Sequence, residues 1–251
     1  MGTMRDAPCL LTHLPDGNRN CCNSLLFLHL MKITRMPVFD ALIHALSVEI
    51  ARPLPGLSAQ LRMSPAVRRE RITEINRDRP PRNGGVLILL YPGKKGNIML
   101  PLMQRPDYDG AHGGQVSFPG GKMEKGDRHL IDTSLREAEE ELGIKPEQVE
   151  VLGYMSELYI WASNFLVKPV LAFSESRPAF NPDFKEVSEI IEAPVTIILD
   201  ERKIKKTQLL VRQNIPIEAP YYEIDNKVVW GATAMMLSEL SELIKRTKLF
   251  N

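Results

Sequence analysis

The stretch Phe118–Ile144, FPGGKMEKGDRHLIDTSLREAEEELGI, joins a glycine turn to a short helix whose last turns are crowded with carboxylates. At about 100° per residue, Ile131, Leu135, Ala138 and Leu142 fall on one narrow apolar stripe. Glu137, Glu140 and Glu141 gather on another sector, and Glu139 points elsewhere. Asp127 is the expected N-cap and Gly143 the expected C′ residue, which puts Glu139, Glu140 and Glu141 in the final turn. There the helix dipole disfavours anions by a few tenths to about 1 kcal/mol each, so a helix built only for stability would carry lysines instead. Acidic groups at i, i+3 and i+4 repel one another unless a cation lies among them, and hard divalent cations such as Mg²⁺ take oxygen ligands. Two readings stand at this point: a metal site, or a solvated acidic face of the ordinary kind.

The surroundings separate them. REAEEELGI, Arg136–Ile144, resembles the second half of the box of the Nudix hydrolase family, G-x5-E-x7-R-E-u-x-E-E-x-G-u with u aliphatic, and every fixed position of that half matches. Upstream, Gly121 stands one residue too far from Arg136, and Asp127 occupies the place of the first Glu. The lengthened spacing is similar to that of the family's coenzyme A pyrophosphatase branch. The preceding tract Asp109–Gly121, DGAHGGQVSFPGG, resembles a second motif of that branch, in which G-x3-F-P-G-G follows an Arg four residues before its first Gly. Gly114, Phe118, Pro119, Gly120 and Gly121 match, whereas Gly110 stands where the Arg is expected. Trp230-Gly231-Ala232-Thr233 is similar to a further segment of the branch, and the whole resemblance covers about residues 83–240.

The resemblance implies an α/β fold, an α/β/α sandwich with a mixed sheet over residues 83–251, preceded by a helical N-terminal segment at 31–82. It implies water attack on a phosphorus of a nucleoside diphosphate linked to another moiety, with Mg²⁺ or Mn²⁺ as cofactor and a small nucleotide-type molecule as substrate. Glu137 and Glu141 are then the expected metal ligands, with Glu140 and the Gly121 carbonyl as further ones. Arg136 is expected to orient Glu140, although an ordinary i,i+4 surface pair reads equally well from the residues. Glu186 and Glu189, in KEVSEIIEAP, are the local choices for general base. Gly114, Gln115, Phe118, Gly120 and His112 are the expected substrate contacts. The branch resemblance implies coenzyme A or acyl-CoA as substrate, cleaved to 3′,5′-ADP and 4′-phosphopantetheine or its acylated form. An ADP-ribose or other dinucleotide pyrophosphatase is the alternative; a catalytically silent ligand sensor is a third reading, against which the intact acidic set counts.

The rest of the chain reads as scaffold. The balance of 32 basic against 31 acidic residues in 251 gives no basic excess of the kind that binds duplex nucleic acid, and no apolar run approaches the length of a membrane span. Cys9, Cys21 and Cys22 all precede the expected fold, which suits a reducing, cytoplasmic setting without disulfides or zinc. A homodimer is kept open. Residues 1–30 show no period and read as a disordered or mis-assigned extension, with the folded protein starting near Met31. From Pro37 a helix is expected, with Phe39, Leu42, Ile43, Leu46 and Ile50 on one face and His44 packed among them. A second helix, Pro65–Asn76, carries Arg68, Arg69 and Arg71 on its polar side. GVLILLY, Gly85–Tyr91, is a strand buried on both faces, and it forms a hairpin with Ile98–Met103. Val149–Ile160 and Asn164–Phe173 are strand-like. Lys185–Glu192 reads as a charged loop or short helical turn, and residues 207–224 as two short strands about a turn at Glu218-Ala219-Pro220. Gly231–Leu243 is a helix with Met235, Met236, Leu240 and Leu243 inward, the methionines serving as core filler.

Overall fold

A strand buried on both faces needs cover on both, and GVLILLY receives it. The computed structural model describes residues 37–65, 79–107, 113–211 and 215–250. In chain order these form α1 (Pro37–Glu49), α2 (Gly56–Gln60), β1 (Arg82–Pro92), β2 (Ile98–Gln104), β3 (Val116–Ser117), β4 (Gly120–Lys122) and α3 (Leu130–Leu142). There follow β5 (Glu150–Tyr154), β6 (Leu158–Ile160), β7 (Phe165–Phe173), β8 (Glu189–Pro194), α4 (Thr196–Leu199), β9 (Ile204–Val211), β10 (Ile215–Ile224), β11 (Lys227–Trp230) and α5 (Gly231–Arg246). The expected helix at 65–76 falls almost wholly outside the described residues, as do the 1–30 extension, Gly110 and His112.

Because successive side chains of a strand point to opposite faces, β1 sends Leu87 and Leu89 one way and Ile88 and Leu90 the other. Leu87 and Leu89 pack with Ala138 and Leu142 of α3, and with Val170 and Ala172 of β7. Ile88 and Leu90 join Leu42 and Leu46 of α1 and Leu237 and Leu240 of α5. The result is an α/β/α sandwich with β1 at its centre. Phe39, Leu42, Ile43 and Leu46 are buried as the periodicity predicts, so α1 is an integral wall of this core; His44 is solvent-exposed, not packed.

The sheet is mixed. β1 runs parallel to β7, from Arg82↔Phe165 to Leu90↔Phe173. On its other edge it pairs antiparallel with β4 over Gly84–Val86 and with β2 only at Tyr91 and Pro92, so the expected hairpin splays apart. The Leu87 N–H bridges the gap by donating to Pro119 O at 2.9 Å, which pins the FPGG turn to the central strand. β2 continues outward to β8 and β3. Residues 189–192 are therefore ladder strand, with Ile191 and Ala193 buried, and not the charged loop that their glutamates suggest.

β9, β10 and β11 form a separate three-stranded sheet. Glu218-Ala219-Pro220 lies inside β10, paired with Gln208, Thr207 and Lys206, and is no turn. β11 flanks β10 only from Tyr221 onward, so Pro216 and Pro220 occupy the stretch with a single ladder neighbour, where a missing N–H is tolerated. α5 carries Met235, Met236, Leu240 and Leu243 into the core as expected. It also buries Glu239, whose carboxylate accepts from Gly56 N at 3.1 Å, Ser156 N at 3.3 Å and Gln60 Nε2 at 2.9 Å. Thr233 Oγ1, in the first turn of α5, donates to Val116 O at 2.9 Å and ties that turn to β3.

Candidate active site

The site is built where α3 crosses β4. α3 is capped by His129, whose Nδ1 accepts from Asp132 N, and it closes at Gly143 with φ 70°. Asp127 is not the cap, because Arg136 takes it: Nε and Nη2 reach its two oxygens at 3.2 Å each, while Thr133 Oγ1 and the Glu124 N–H add 2.8 and 2.9 Å bonds. With 6% of its side chain exposed, Asp127 is held by the Arg136 bonds at a pKa of about 2. The remaining Arg136 donors go to Lys122 O at 3.1 Å and, through Nη1, to Glu137 and Glu140 at 3.0 Å each. Arg136 thus ties the 122–127 loop to two of the expected metal ligands, far more than an i,i+4 surface pair does.

Two adjacent glycines shape the floor. Gly120 has φ 155°, and a Cβ there would lie 2.4 Å from Gly85 O and 2.6 Å from Val86 Cα. Its N–H donates to Glu141 Oε2 at 2.8 Å. At Gly121 a Cβ would lie 2.4 Å from Glu137 Oε1, so the missing side chain is what lets that carboxylate rest on β4. Glu141 is 2% exposed. Burial pushes it up to about 8 against the lowering influence of Arg105 and the Gly120 N–H, with Glu137 and Glu186 raising it further. Glu137 is also raised, first by burial, then by the charges of Glu140 and Glu186.

Of the other expected site residues, Glu140 is largely exposed, and Glu139 lies apart, paired with Lys145 at 2.7 Å. Glu186 is exposed in the turn before β8, near enough for its charge to act on Glu137 and Glu141. Glu189 is not with them: it sits on β8 and pairs with Lys227 at 2.8 Å. Phe118 is 1% exposed within the core, so its side chain anchors the loop and offers no surface to a ligand. Gly114 and Gln115 line a cavity of about 340 Å³, together with Gln104, Leu209, Leu210 and Trp230. Arg105 was not legible in the sequence. Its Nη2 reaches Glu141 Oε1 at 3.2 Å and Gly120 O at 3.3 Å, and it follows the cavity-lining Gln104 directly.

The donor set suits a hard divalent cation: carboxylate oxygens from Glu137 and Glu141, held out of water and further raised by neighbouring acidic charge, whose ionised form a bound cation would favour. Among the described residues no three acidic groups converge on one point; Glu137 and Glu140 are paired with Arg136, and Glu141 with Arg105.

A family profile described as "NUDIX domain" matches residues 81–214, more than half of the chain. The chain belongs to the Nudix family. It is 37% identical over 139 residues to a Pectobacterium atrosepticum protein named "Uncharacterized Nudix hydrolase NudL", an alignment covering 52% of this chain and 67% of that one. It is 31% identical over 169 residues to "Nudix hydrolase 22, chloroplastic" of Arabidopsis thaliana, over 65% of this chain and 56% of the relative. A solved Nudix hydrolase from M. smegmatis, RenU, is similar over 67% of this chain and 88% of its own, at 16% identity and a TM-score of 0.48. The protein is thus a Nudix hydrolase, from a family of pyrophosphohydrolases that generally use divalent ions such as Mg²⁺ or Mn²⁺. No helix among the described residues is long and apolar enough to cross a membrane.

Proposed function

We propose that this Nudix hydrolase cleaves the pyrophosphate of coenzyme A or acyl-CoA, releasing 3′,5′-ADP and 4′-phosphopantetheine or its acylated form. The observation that carries this reading is the cavity at the end of β2. One wall, Gln104, Asp107 and Gln115, is polar and comes from the end of β2 and the loop after it; the other, Leu209, Leu210, Val228 and Trp230, is mostly apolar, with Lys227 at its edge, and comes from the three-stranded sheet. A linear arm with amide groups and an aliphatic end matches such a cleft, since apolar walls with a few placed polar groups give both affinity and orientation.

In this reading Glu137 and Glu141 hold the cation, with Glu140 and the Gly121 carbonyl completing the protein's share. A bound Mg²⁺ or Mn²⁺ neutralises phosphate oxygens and lowers the pKa of water. Arg136 fixes Glu137 and Glu140 through its bonds to Asp127 and Lys122 O. The Gly120 N–H fixes Glu141. Glu186, exposed and facing that cluster electrostatically, takes the proton from the attacking water as its oxygen bonds to phosphorus and the bridging P–O bond breaks. Glu189 is left out, because Lys227 holds it. The three cysteines lie at positions 9–22, outside the matched domain, and a reducing compartment belongs to the same reading.

The test is mass spectrometry of products from purified protein with Mg²⁺ or Mn²⁺, given coenzyme A, an acyl-CoA and ADP-ribose at matched concentrations. Formation of 3′,5′-ADP supports the reading. AMP from ADP-ribose with coenzyme A intact overturns it.

A further inference from the structure

The last turn of a helix leaves carbonyls without an intrahelical partner. In α3, Gly143 N and Ile144 N turn back onto Glu139 O and Ala138 O at 2.9 and 3.2 Å. The carbonyls of Leu142 and Glu141 are met from far downstream instead, by Asn181 N at 2.8 Å and Asp183 N at 3.0 Å. Gly143 makes this seat possible, since a Cβ there would lie 2.8 Å from Asn181 Cβ. Asp183 then builds a single helical turn. Its carbonyl accepts from Glu186 N at 2.9 Å and Val187 N at 2.8 Å, and its Oδ1 accepts from Lys185 N at 3.0 Å, an Asx turn. Val187 is wholly buried in the cluster that holds Ala138 and Leu142 of α3, and Ser188 N donates to Gln104 O at 2.9 Å, so the turn is closed on its far side as well. One residue thus joins the helix that carries Glu141 to the turn that carries Glu186, whose charge raises both Glu137 and Glu141.

We propose that Asp183 is a positioning residue for the reaction: it fixes Glu186 at one separation from the end of α3 that carries Glu141, and it does so through the geometry of its acceptor oxygen and not through its charge. Without the Asx bond the Lys185 N–H loses this partner, and the turn between Asp183 and Val187 loosens while Val187 and Ser188 still hold its far end. A base works only within hydrogen-bond reach of the proton it takes, so a small drift of Glu186 slows the chemical step. Glu137 on Gly121 and Glu141 on the Gly120 N–H are untouched by such a drift, and they stay where they would hold a cation. A turn that served only to close the helix end would matter for stability and leave the chemistry alone. The inference rests on the assignment of Glu186 as general base made above and is independent of the substrate class.

The test measures kcat, KM, Mn²⁺ affinity by calorimetry and melting temperature on the full chain, with whichever of coenzyme A and ADP-ribose it cleaves. Asp183→Ala should lower kcat by about tenfold or more and leave KM and Mn²⁺ affinity within about twofold. Asp183→Asn, which keeps the acceptor and loses the charge, should hold kcat within about threefold of wild type. Asp183→Glu, which keeps the charge on a longer arm, should behave like the alanine variant. In a Glu186→Gln background, Asp183→Ala should cost less than about twofold in kcat, because no base is left to misplace. Full kcat in Asp183→Ala, an equal loss in both backgrounds, or a loss in Asp183→Asn as large as in Asp183→Ala overturns the proposal. If Asp183→Ala does not fold, the Asn and Glu variants decide by the same readings. Wild-type kcat in Glu186→Gln alone overturns the base assignment and the inference with it, whereas a large loss there beside full kcat in Asp183→Ala overturns only the inference.

Discussion

Gly120 and Gly121 are neighbours in one short strand, and alanine should damage them in opposite ways. At Gly120 the obstacle is backbone: Gly85 O at 2.4 Å, Val86 Cα at 2.6 Å, and a φ of 155° that an L side chain rarely adopts. The dihedral strain costs on the order of 1–3 kcal/mol. Overpacking against a strand that cannot move adds a similar amount, for a total of about 3–5 kcal/mol. At about 2–4 °C per kcal/mol for a domain of this size, Gly120→Ala should melt roughly 10 °C lower or fail to accumulate as folded protein. At Gly121 the obstacle is the mobile end of Glu137, with Oε1 at 2.4 Å and Cδ at 2.5 Å. The carboxylate can swing aside at little cost, and the entropy removed from the unfolded chain offsets part of it, so the melting temperature should stay within a few degrees. What changes is the position of Glu137, and kcat should fall by about tenfold or more, as misplaced catalytic geometry does. Differential scanning fluorimetry and product assays on both variants decide the matter. A Gly120→Ala protein as stable as wild type, or a Gly121→Ala protein with full kcat, refutes the packing argument.

The buried carboxylates make further expectations definite. Burial raises Glu141 to about 8, so ionising it opposes folding: the metal-free protein loses stability as pH climbs from the unfolded value near 4.3 toward 8, and chelator-treated Glu141→Gln should show a smaller drop in melting temperature between pH 5 and pH 8 than wild type. Asp127 behaves in the opposite sense, its pKa held at about 2, so its contribution is complete above the unfolded value of about 3.9 and lost as pH falls through 2. Asp127→Asn should therefore cost on the order of 1–2 kcal/mol at pH 7, allowing for screening, and the gap from wild type should close in acid melts. Glu186→Gln should lower kcat by about a hundredfold or more, whereas Glu189→Gln should leave kcat within about twofold, since only the former faces the cluster; equal losses in steady-state assays would contradict that assignment.

What the sequence disclosed, and what it hid, follows from the range of the interactions. β1, α3 and α5 were legible because their apolar periodicity is local, and Gly143 because a helix stop is local too. The capping residue was misassigned since Asp127 has a competing partner nine positions on, and Arg136 bonds outweigh a cap. β10 was broken in two by reading Pro220 as a turn; its tolerance depends on where β11 begins, which no local pattern encodes. β8 was hidden by Glu189 and Glu192, whose cationic partners Lys227 and Arg177 lie far off or on a neighbouring loop in sequence. Arg105 was invisible because its partner Glu141 lies 36 positions away. The cavity escaped notice for the same reason, its walls coming from loop 104–116 and strands beyond residue 208.

The Glu239 carboxylate, gripped by groups 179, 183 and 83 positions distant, makes the docking of α5 a long-range event. Each doubling of a closed loop adds about 0.6 kcal/mol of entropy cost, and chains dominated by such distant pairings fold slowly. The parallel β1–β7 ladder, at the centre of the sheet on which α5 packs, itself joins segments some 80 residues apart. Without α5, the sheet face bearing Ile88, Leu90, Leu100 and Leu102 would keep only the cover that α1 gives it. Such a half-covered chain would expose apolar surface of the kind that self-associates, so refolding yield measured at rising protein concentration reports how late α5 docks.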